Sequence, residues 1–254
     1  MKRTTWFCIT VAALFALWWG ITTFVHGAHH VLPRPEAVWA EAKVLAMSGD
    51  LSAHIAASLR RAVQGFILAL LTGIPLGLLL GLSKPLFRLF QPLIEVLRPI
   101  SPIAWIPLSV LWFGIEEGSK LFIIWLIAFF FILLATISGV ANVNRRWIEA
   151  AKTLGASRFF ILRKVVLFGA LPQILVGARL GLAVSIGGVL LAEMIAAESG
   201  IGFMMERARV VLQPEPVVIG MILLALIGYS VNRLLVLWEN RLLRYRSSIG
   251  SPEK

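Results

Sequence analysis

Six apolar stretches, at residues 6–25, 62–82, 92–113, 121–141, 169–192 and 217–238, constrain this chain more than any other feature. A hydrocarbon layer about 30 Å thick is crossed by roughly 20 residues of helix, which satisfies its backbone hydrogen bonds internally. Of the 254 residues, 59% are apolar and 15% charged, against about 45–50% and 25% in an average soluble domain. A globule of that composition lacks the polar surface to cover itself, so a water-soluble enzyme is excluded, and so is a disordered chain. The expected fold is an all-α integral membrane protein of about six transmembrane helices. Lys2 and Arg3 ahead of the first stretch also fit a secretory signal, but the apolar core of such a signal is only about 7–15 residues. Trp6, Trp18 and Trp19 suit interfacial anchoring, so a retained helix is expected.

The loops alternate in charge. Lys2 and Arg3, Lys84 and Arg88, the series Arg145, Arg146, Lys152, Arg158, Arg163 and Lys164, and finally Arg241, Arg244 and Arg246 fall on one side. Glu36, Glu41, Asp50, Glu116, Glu117, Glu193, Glu198, Glu206 and Glu215 fall on the other. Basic loops stay in the cytoplasm, which puts both termini inside. The net charge of +11 therefore reads as loops facing an anionic lipid leaflet, not as a nucleic-acid surface. Arg60 and Arg61 are the exception, expected at the outer end of the second helix with their heads snorkelling outward. Between the first two spans, 36–47 is expected to form a short interfacial helix with Val38, Trp39 and Leu45 against the membrane.

Gly73, Gly77 and Gly81 repeat every four residues, as do Gly177, Gly181 and Ser185. Lipid offers helices no hydrophobic reason to associate, so such small faces supply close backbone packing. Pro99, Pro102 and Pro107 interrupt the third span, which is tolerated where neighbours or a wet cavity satisfy the freed carbonyls.

Chemistry is sparse. No phosphate-binding Gly-x-x-x-x-Gly-Lys-Ser/Thr loop, no His-Glu-x-x-His and no Gly-x-Ser-x-Gly occurs, so no catalytic residue, metal or cofactor is expected. His26, His29 and His30 cluster without a nearby carboxylate and read as a solvated loop more readily than as a metal site. A single cysteine, Cys8, excludes a disulfide framework. Charges within the spans say more, since a mid-bilayer charge costs about 2.5–3.5 kcal/mol and faces a bundle interior or water. Glu95 and Arg98, three residues apart on one helix face, Arg179 halfway along the fifth span, and Glu193 near its outer end are candidates for a translocation pathway. Salt bridges that only fix packing, or an interfacial Glu95/Arg98 pair, are the alternative.

The basic loop between spans four and five is the most specific segment. Asn144 is placed to cap a helix, and Ile148, Ala151 and Leu154/Gly155 form a narrow apolar stripe. Gly155 weakens that helix by about 1 kcal/mol relative to alanine, which suits a bend or a close contact. Phe159, Phe160 and Leu162 restart the apolar face. Such a segment either lies on the membrane surface or docks into a partner.

Glu149-Ala150-Ala151 followed three residues later by Gly155 resembles the Glu-Ala-Ala loop of ABC importer permeases. The pattern continues with Val165 and Leu167, although Phe168 stands where that family usually has proline. Leu32-Pro33-Arg34-Pro35-Glu36, Gly73-Ile74-Pro75-Leu76-Gly77, Leu97-Arg98-Pro99-Ile100, Ile106-Pro107-Leu108, Trp112-Phe113-Gly114 and Ala192-Glu193-Met194-Ile195 look like the sulfonate/taurine/nitrate branch.

The resemblance implies a type I importer transmembrane domain in the bacterial inner membrane. A permease core would run over 54–241, preceded by an N-terminal helix and periplasmic connector (1–53) and followed by a cytoplasmic tail (242–254). It implies two cytoplasmic ATPase subunits, a periplasmic solute-binding protein and a second permease copy as partners, and membrane lipid as surroundings. ATP hydrolysis would belong to the ATPase subunits. Glu149, Ala150, Ala151, Leu154 and Gly155 would be the coupling loop, with small alanines allowing deep seating and Glu149 pairing with a donor on the ATPase. An ion-coupled secondary transporter is the principal alternative. An intramembrane enzyme would need clustered carboxylates or a Ser/His pair, which the chain lacks.

Overall fold

A computed structural model describes residues 2–24 and 32–242, and every regular element among them is helical. The His26, His29 and His30 cluster, Arg244 and Arg246 lie outside the described residues. Helix α1 (Lys2–Phe24) covers the first expected span. Next come α2 (Pro35–Met47), α3 (Asp50–Leu82) and α4 (Lys84–Leu97). A single 3₁₀ turn (Pro102–Trp105) leads to α5 (Ile106–Phe113), then α6 (Glu117–Ala141) and α7 (Arg145–Thr153). A short turn, α8 (Arg158–Phe160), runs through a π-helical stretch (Ile161–Val166) into α9 (Leu167–Ala196). Helices α10 (Ile201–Val210) and α11 (Pro214–Leu242) complete the chain.

Helix α6 is the axis. Its Ile123, Ile124, Ala128, Ile132, Leu133 and Thr136 are all buried. On one side it meets the small face of α3, where a Cβ added at Gly77 would lie 2.6 Å from Thr136 Cβ and 3.0 Å from the Leu133 carbonyl. On the other it meets the small face of α9, where Gly177 and Gly181 approach the Phe131 and Ala128 carbonyls. The two small-residue repeats are thus packing faces, as their spacing predicts.

The order of these contacts fixes the topology. Gly65 meets Ile124 and Gly81 meets Val140, so α3 and α6 run parallel. Gly139 meets Ala170 while Gly188 meets Ile127, so α9 runs antiparallel to α6. Two parallel neighbours require the chain to return between them, so 83–116 crosses the bundle. It does so as a broken span: α4 and the Pro102–Phe113 segment meet at 94°. Instead of the single third helix expected over 92–113, Pro99, Pro102 and Pro107 divide the crossing into two pieces. Four unbroken helices are long and apolar enough to cross a membrane among the described residues, and the broken pair counted as one span makes five. Helix α1 is outside that count because its apolar part, Ala12–Phe24, is shorter, so five crossings stand against about six expected.

Other boundaries depart from expectation. Helix α3 begins at Asp50, twelve residues before the expected start of its span, and carries Arg60 and Arg61 within a continuous helix. Helix α2 forms as expected, and Trp39 is exposed, but Val38 is buried and packs with Leu45 against α10 and α11 instead of facing lipid. Helix α10, with buried Ile201, Met204, Met205 and Ala208, has no counterpart among the expected elements. Phe168 causes no break, because the helix runs on from Arg158 to Ile195.

Gly77→Ala is expected to push α3 from α6 and destabilise the protein by about 1–3 kcal/mol, the usual cost of overpacking. Gly228→Ala, where an added methyl meets nothing within 4 Å, should leave the melting temperature in detergent unchanged or slightly raised.

Candidate functional site

Two features stand at opposite ends of the bundle. Helix α7 follows the C-terminal end of α6 and precedes the N-terminal end of α9. An ionic cluster joins the other ends of α3, α6 and α9.

Helix α7 starts where Asn144 Oδ1 accepts the Arg146 backbone N–H at 3.0 Å, the cap expected from sequence. It ends in a Schellman motif: Ala156 N–H donates to the Ala151 carbonyl at 3.0 Å and Gly155 N–H to the Lys152 carbonyl at 2.9 Å. Gly155 sits at φ +76°, and an added Cβ would meet nothing within 4 Å. Of the two expected reasons for this glycine, the bend is the one observed. Ile148 and Ala151 lean on a cluster of Val140, Ile161, Val166 and Ala170. Leu154 does not complete that stripe; its side chain is 87% exposed, and Trp147, Phe159 and Phe160 are also exposed. Glu149 and Ala150 face solvent, with Glu149 reached by Arg145 at 3.2 Å one turn earlier. The loop therefore presents an apolar knob beside a carboxylate, and apolar contacts of Ile148 and Ala151 pack it on the bundle.

At the other end, Arg61 is 1% exposed and Glu193 also 1%. Arg61 Nη1 donates to Glu193 Oε1 at 2.8 Å. Its Nε and Nη2 grip both oxygens of Glu117 at 2.8 and 2.7 Å. Ser58 Oγ lies 2.8–2.9 Å from the Glu193 carboxylate, to which it donates, and accepts the Ile201 N–H at 2.8 Å. Glu193 Oε2 accepts the Gly202 N–H at 3.0 Å, and His54 Nδ1 accepts that of Gly200 at 3.0 Å. The free N–H groups that open α10 are thus capped by side chains of α3 and α9, with a carboxylate at the positive end of the helix. Gly200, at φ +124°, lies so close that any Cβ would overlap the Glu193 carboxyl.

This arrangement corrects one expectation. Arg61 does not snorkel outward; it is drawn inward by two carboxylates, while Arg60 alone stays in solvent. The carboxylate of Glu193, a candidate for the pathway, is enclosed here by Ser58, Arg61 and the start of α10. Sequence reasoning missed Ser58, Glu117 and Ser199 as members of the site. The available signal was two opposite charges at the ends of neighbouring spans, each too costly to bury alone.

The remaining span charges lie apart. Glu95 accepts a hydrogen bond from Gln91 at 2.7 Å, not from Arg98. Glu95 and Arg98 line a recess of about 470 Å³ beside the bend, with Phe87, Gln91, Pro99 and Leu134. Arg179 is half-buried, and its Nε donates to Asn232 Oδ1 on α11 at 3.0 Å. No group of three or more metal-ligating side chains occurs among the described residues.

Five crossings, one broken, around a glycine-gripped central helix define a polytopic helical membrane protein with the fold of type I ABC importer permeases. The fold is similar to a chain of an amino acid ABC transporter crystallised with histidines, at TM-score 0.65 and 18% identity over 79% of this chain and 97% of that one. It is also similar to a chain of the MetNI methionine ABC transporter in an inward facing conformation, at TM-score 0.59 and 20% identity over 70% and 91%. Residues 73–244 match the family described as binding-protein-dependent transport system inner membrane component, and the chain belongs to that family. It is therefore an inner-membrane permease component.

Among its relatives, the taurine transport system permease protein TauC of Escherichia coli (strain K12) is 37% identical over 94% of this chain and 89% of its own length. The putative aliphatic sulfonates transport permease protein SsuC of Bacillus subtilis (strain 168) is 34% identical over 97% and 90%. The nitrate import permease protein NrtB of Leptolyngbya laminosa is 33% identical over 71% and 65%.

The cluster predicts an asymmetry in denaturation experiments. Arg61→Met leaves the Glu193 carboxylate buried without its cation and should cost about 3–5 kcal/mol. Glu193→Gln leaves Arg61 compensated by Glu117 and should cost about 1.5–3 kcal/mol, the value of a hydrogen bond to a charged group. Adding Glu193→Gln to Arg61→Met should recover stability.

Proposed function

We propose that this permease moves a small anionic solute of the taurine, aliphatic sulfonate or nitrate class into the cytoplasm, driven by ATP hydrolysed on two separate subunits docked at α7. A periplasmic binding protein delivers the solute to the end of the bundle that carries the Arg61 cluster, and a second copy of the chain completes the translocating unit. Both termini and α7 are cytoplasmic, in keeping with the basic residues around α7 and the acidic loops opposite. The solute class follows that of the taurine, aliphatic sulfonate and nitrate permeases among the relatives.

The observation that carries the coupling role is the α7 surface. Glu149 and Ala150 are exposed, Leu154 is turned outward, and the left-handed Gly155 sets the bend that presents them. An exposed apolar side chain beside a charge, on a helix fixed at both ends, suits insertion into a cleft on a partner. Closure of the ATPase pair on ATP draws the two α7 helices together. The attached spans then rock from an inward-open to an outward-open arrangement, and hydrolysis resets them. Of the charges within the spans, Arg98 is best placed to meet an anion, since it lines an open recess where the broken span bends. Arg179 stands at the α9–α11 contact, bound to Asn232. Its place in the pathway is a second assignment, tested by uptake in an Arg179→Ala variant that retains the ATPase.

Gly155→Asp and Glu149→Lys are each expected to abolish uptake while the protein still inserts, with the ATPase no longer copurifying. Uptake of labelled taurine, methanesulfonate and nitrate into proteoliposomes holding the complete complex measures both the coupling and the solute. Transport that persists without any ATPase subunit and collapses with the ion gradient would establish a secondary transporter instead.

A further inference from the structure

We infer that Arg61 and Glu193 are positioning residues for transport coupling: their ion pair makes α10 move with α3, α6 and α9, so that engagement of the loaded binding protein at that end is transmitted to α7. The inference rests on the permease reading above and adds to it the residues that carry the signal.

The guanidinium of Arg61 is used completely. Its five N–H groups make five bonds: one from Nε to Glu117, two from Nη1 to Glu193 and the Ser199 carbonyl, and two from Nη2 to Glu117 and Ser199 Oγ. A lysine has three donors on a point charge and cannot reproduce this fork. One side chain of α3 therefore ties together the start of α6, the end of α9 and the loop that opens α10. Glu193 continues the tie through Ser58 and the Gly202 N–H. Helix α10 in turn grips α11, where Gly220 lies directly against Met205.

The tie is divided between a dry and a wet layer. Glu193 is enclosed, whereas the Glu117 side chain is 42% exposed. Glu117 borders a recess of about 460 Å³ with Lys120, Glu116 and Glu198. Contact made at that surface thus reaches a buried pair through a single side chain, Arg61. An apolar contact would hold the same elements at no desolvation cost but would let them slide. A fully satisfied charge pair fixes one geometry, because any relative shift of α10 leaves buried charge unpaired. At the opposite end short connections join α7 to the end of α6 and to the helix that runs on from Arg158 to Ile195, so a displacement of the tied bundle carries α7 with it.

The test compares ATPase activity of the reconstituted permease–ATPase complex with and without its binding protein. The binding protein is loaded with whichever of taurine, methanesulfonate or nitrate stimulates the wild type most. Glu193→Gln should leave basal hydrolysis and the half-saturating concentration of binding protein unchanged while lowering the stimulation by about fivefold or more, the lower end of coupling between distant sites. The Arg61→Met/Glu193→Gln double variant, which removes the buried charge on both partners, should show the same loss. Full stimulation in either variant overturns the inference, as does a parallel fall of basal and stimulated rates, which marks a purely structural tie. A wild-type complex that no loaded binding protein stimulates overturns the permease reading itself, and this inference with it.

Discussion

In hydrocarbon an apolar side chain gains nothing by leaving lipid for a neighbouring helix, so what holds α3 and α9 to α6 is the number of atoms they bring into contact. The glycines of both outer helices let backbone approach backbone, with the Leu133 carbonyl against Gly77 and the Phe131 and Ala128 carbonyls against Gly177 and Gly181. Thr136, wholly buried in that seam, returns its hydroxyl to the Ile132 carbonyl at 2.7 Å and leaves no polar group unpaired there. The contact is one of shape. It fixes three helices along most of their length and leaves their outward faces, such as Leu71 and Val176, to lipid.

From that contact the rest of the topology follows. Parallel packing of α3 on α6 obliges the intervening chain to cross back, and the crossing is the one span rich in proline. A proline-broken span frees backbone carbonyls that an unbroken helix would consume, and these need polar company or water. The recess that holds Gln91, Glu95 and Arg98 lies at this break. The least regular crossing and the exposed charges Glu95 and Arg98 are therefore the same place.

The parts of the structure legible in the sequence are those set by local or periodic rules. Residues 62–82 and 121–141 lie within α3 and α6 because an apolar run of that length has one stable form in a membrane. Asn144 caps α7 and Gly73, Gly77 and Gly81 face a partner helix because capping and four-residue spacing are local. What stayed hidden depends on distant partners. Arg61 looks like an exception to a charge rule until Glu117, 56 positions away, and Glu193, 132 positions away, are seen around it. Helix α10 has weak amphipathic character and reads as loop, because its first turn is capped by Ser58 and Glu193 from other helices instead of by its own sequence. Spacing alone groups Leu154 with Ile148 and Ala151, but the helix ends at Thr153 and the chain turns it outward.

The two ends of the bundle are built from opposite materials. At one, buried charges are matched donor for donor, which costs desolvation and gives back a single geometry. At the other, α7 rests on apolar contacts that lose little when helices shift by a fraction of an ångström, and it keeps its polar groups in solvent. A matching contrast appears where two short helices end. α7 closes on Gly155, which adopts the left-handed backbone freely, whereas α10 closes on Leu212 at φ +57°, a conformation that costs a side-chain-bearing residue about 1–2 kcal/mol. Helix α7 thus ends without strain. The helix with the strained end is also the one held at its start by Ser58, His54 and Glu193, so the ionic cluster supplies order that the local sequence of α10 does not.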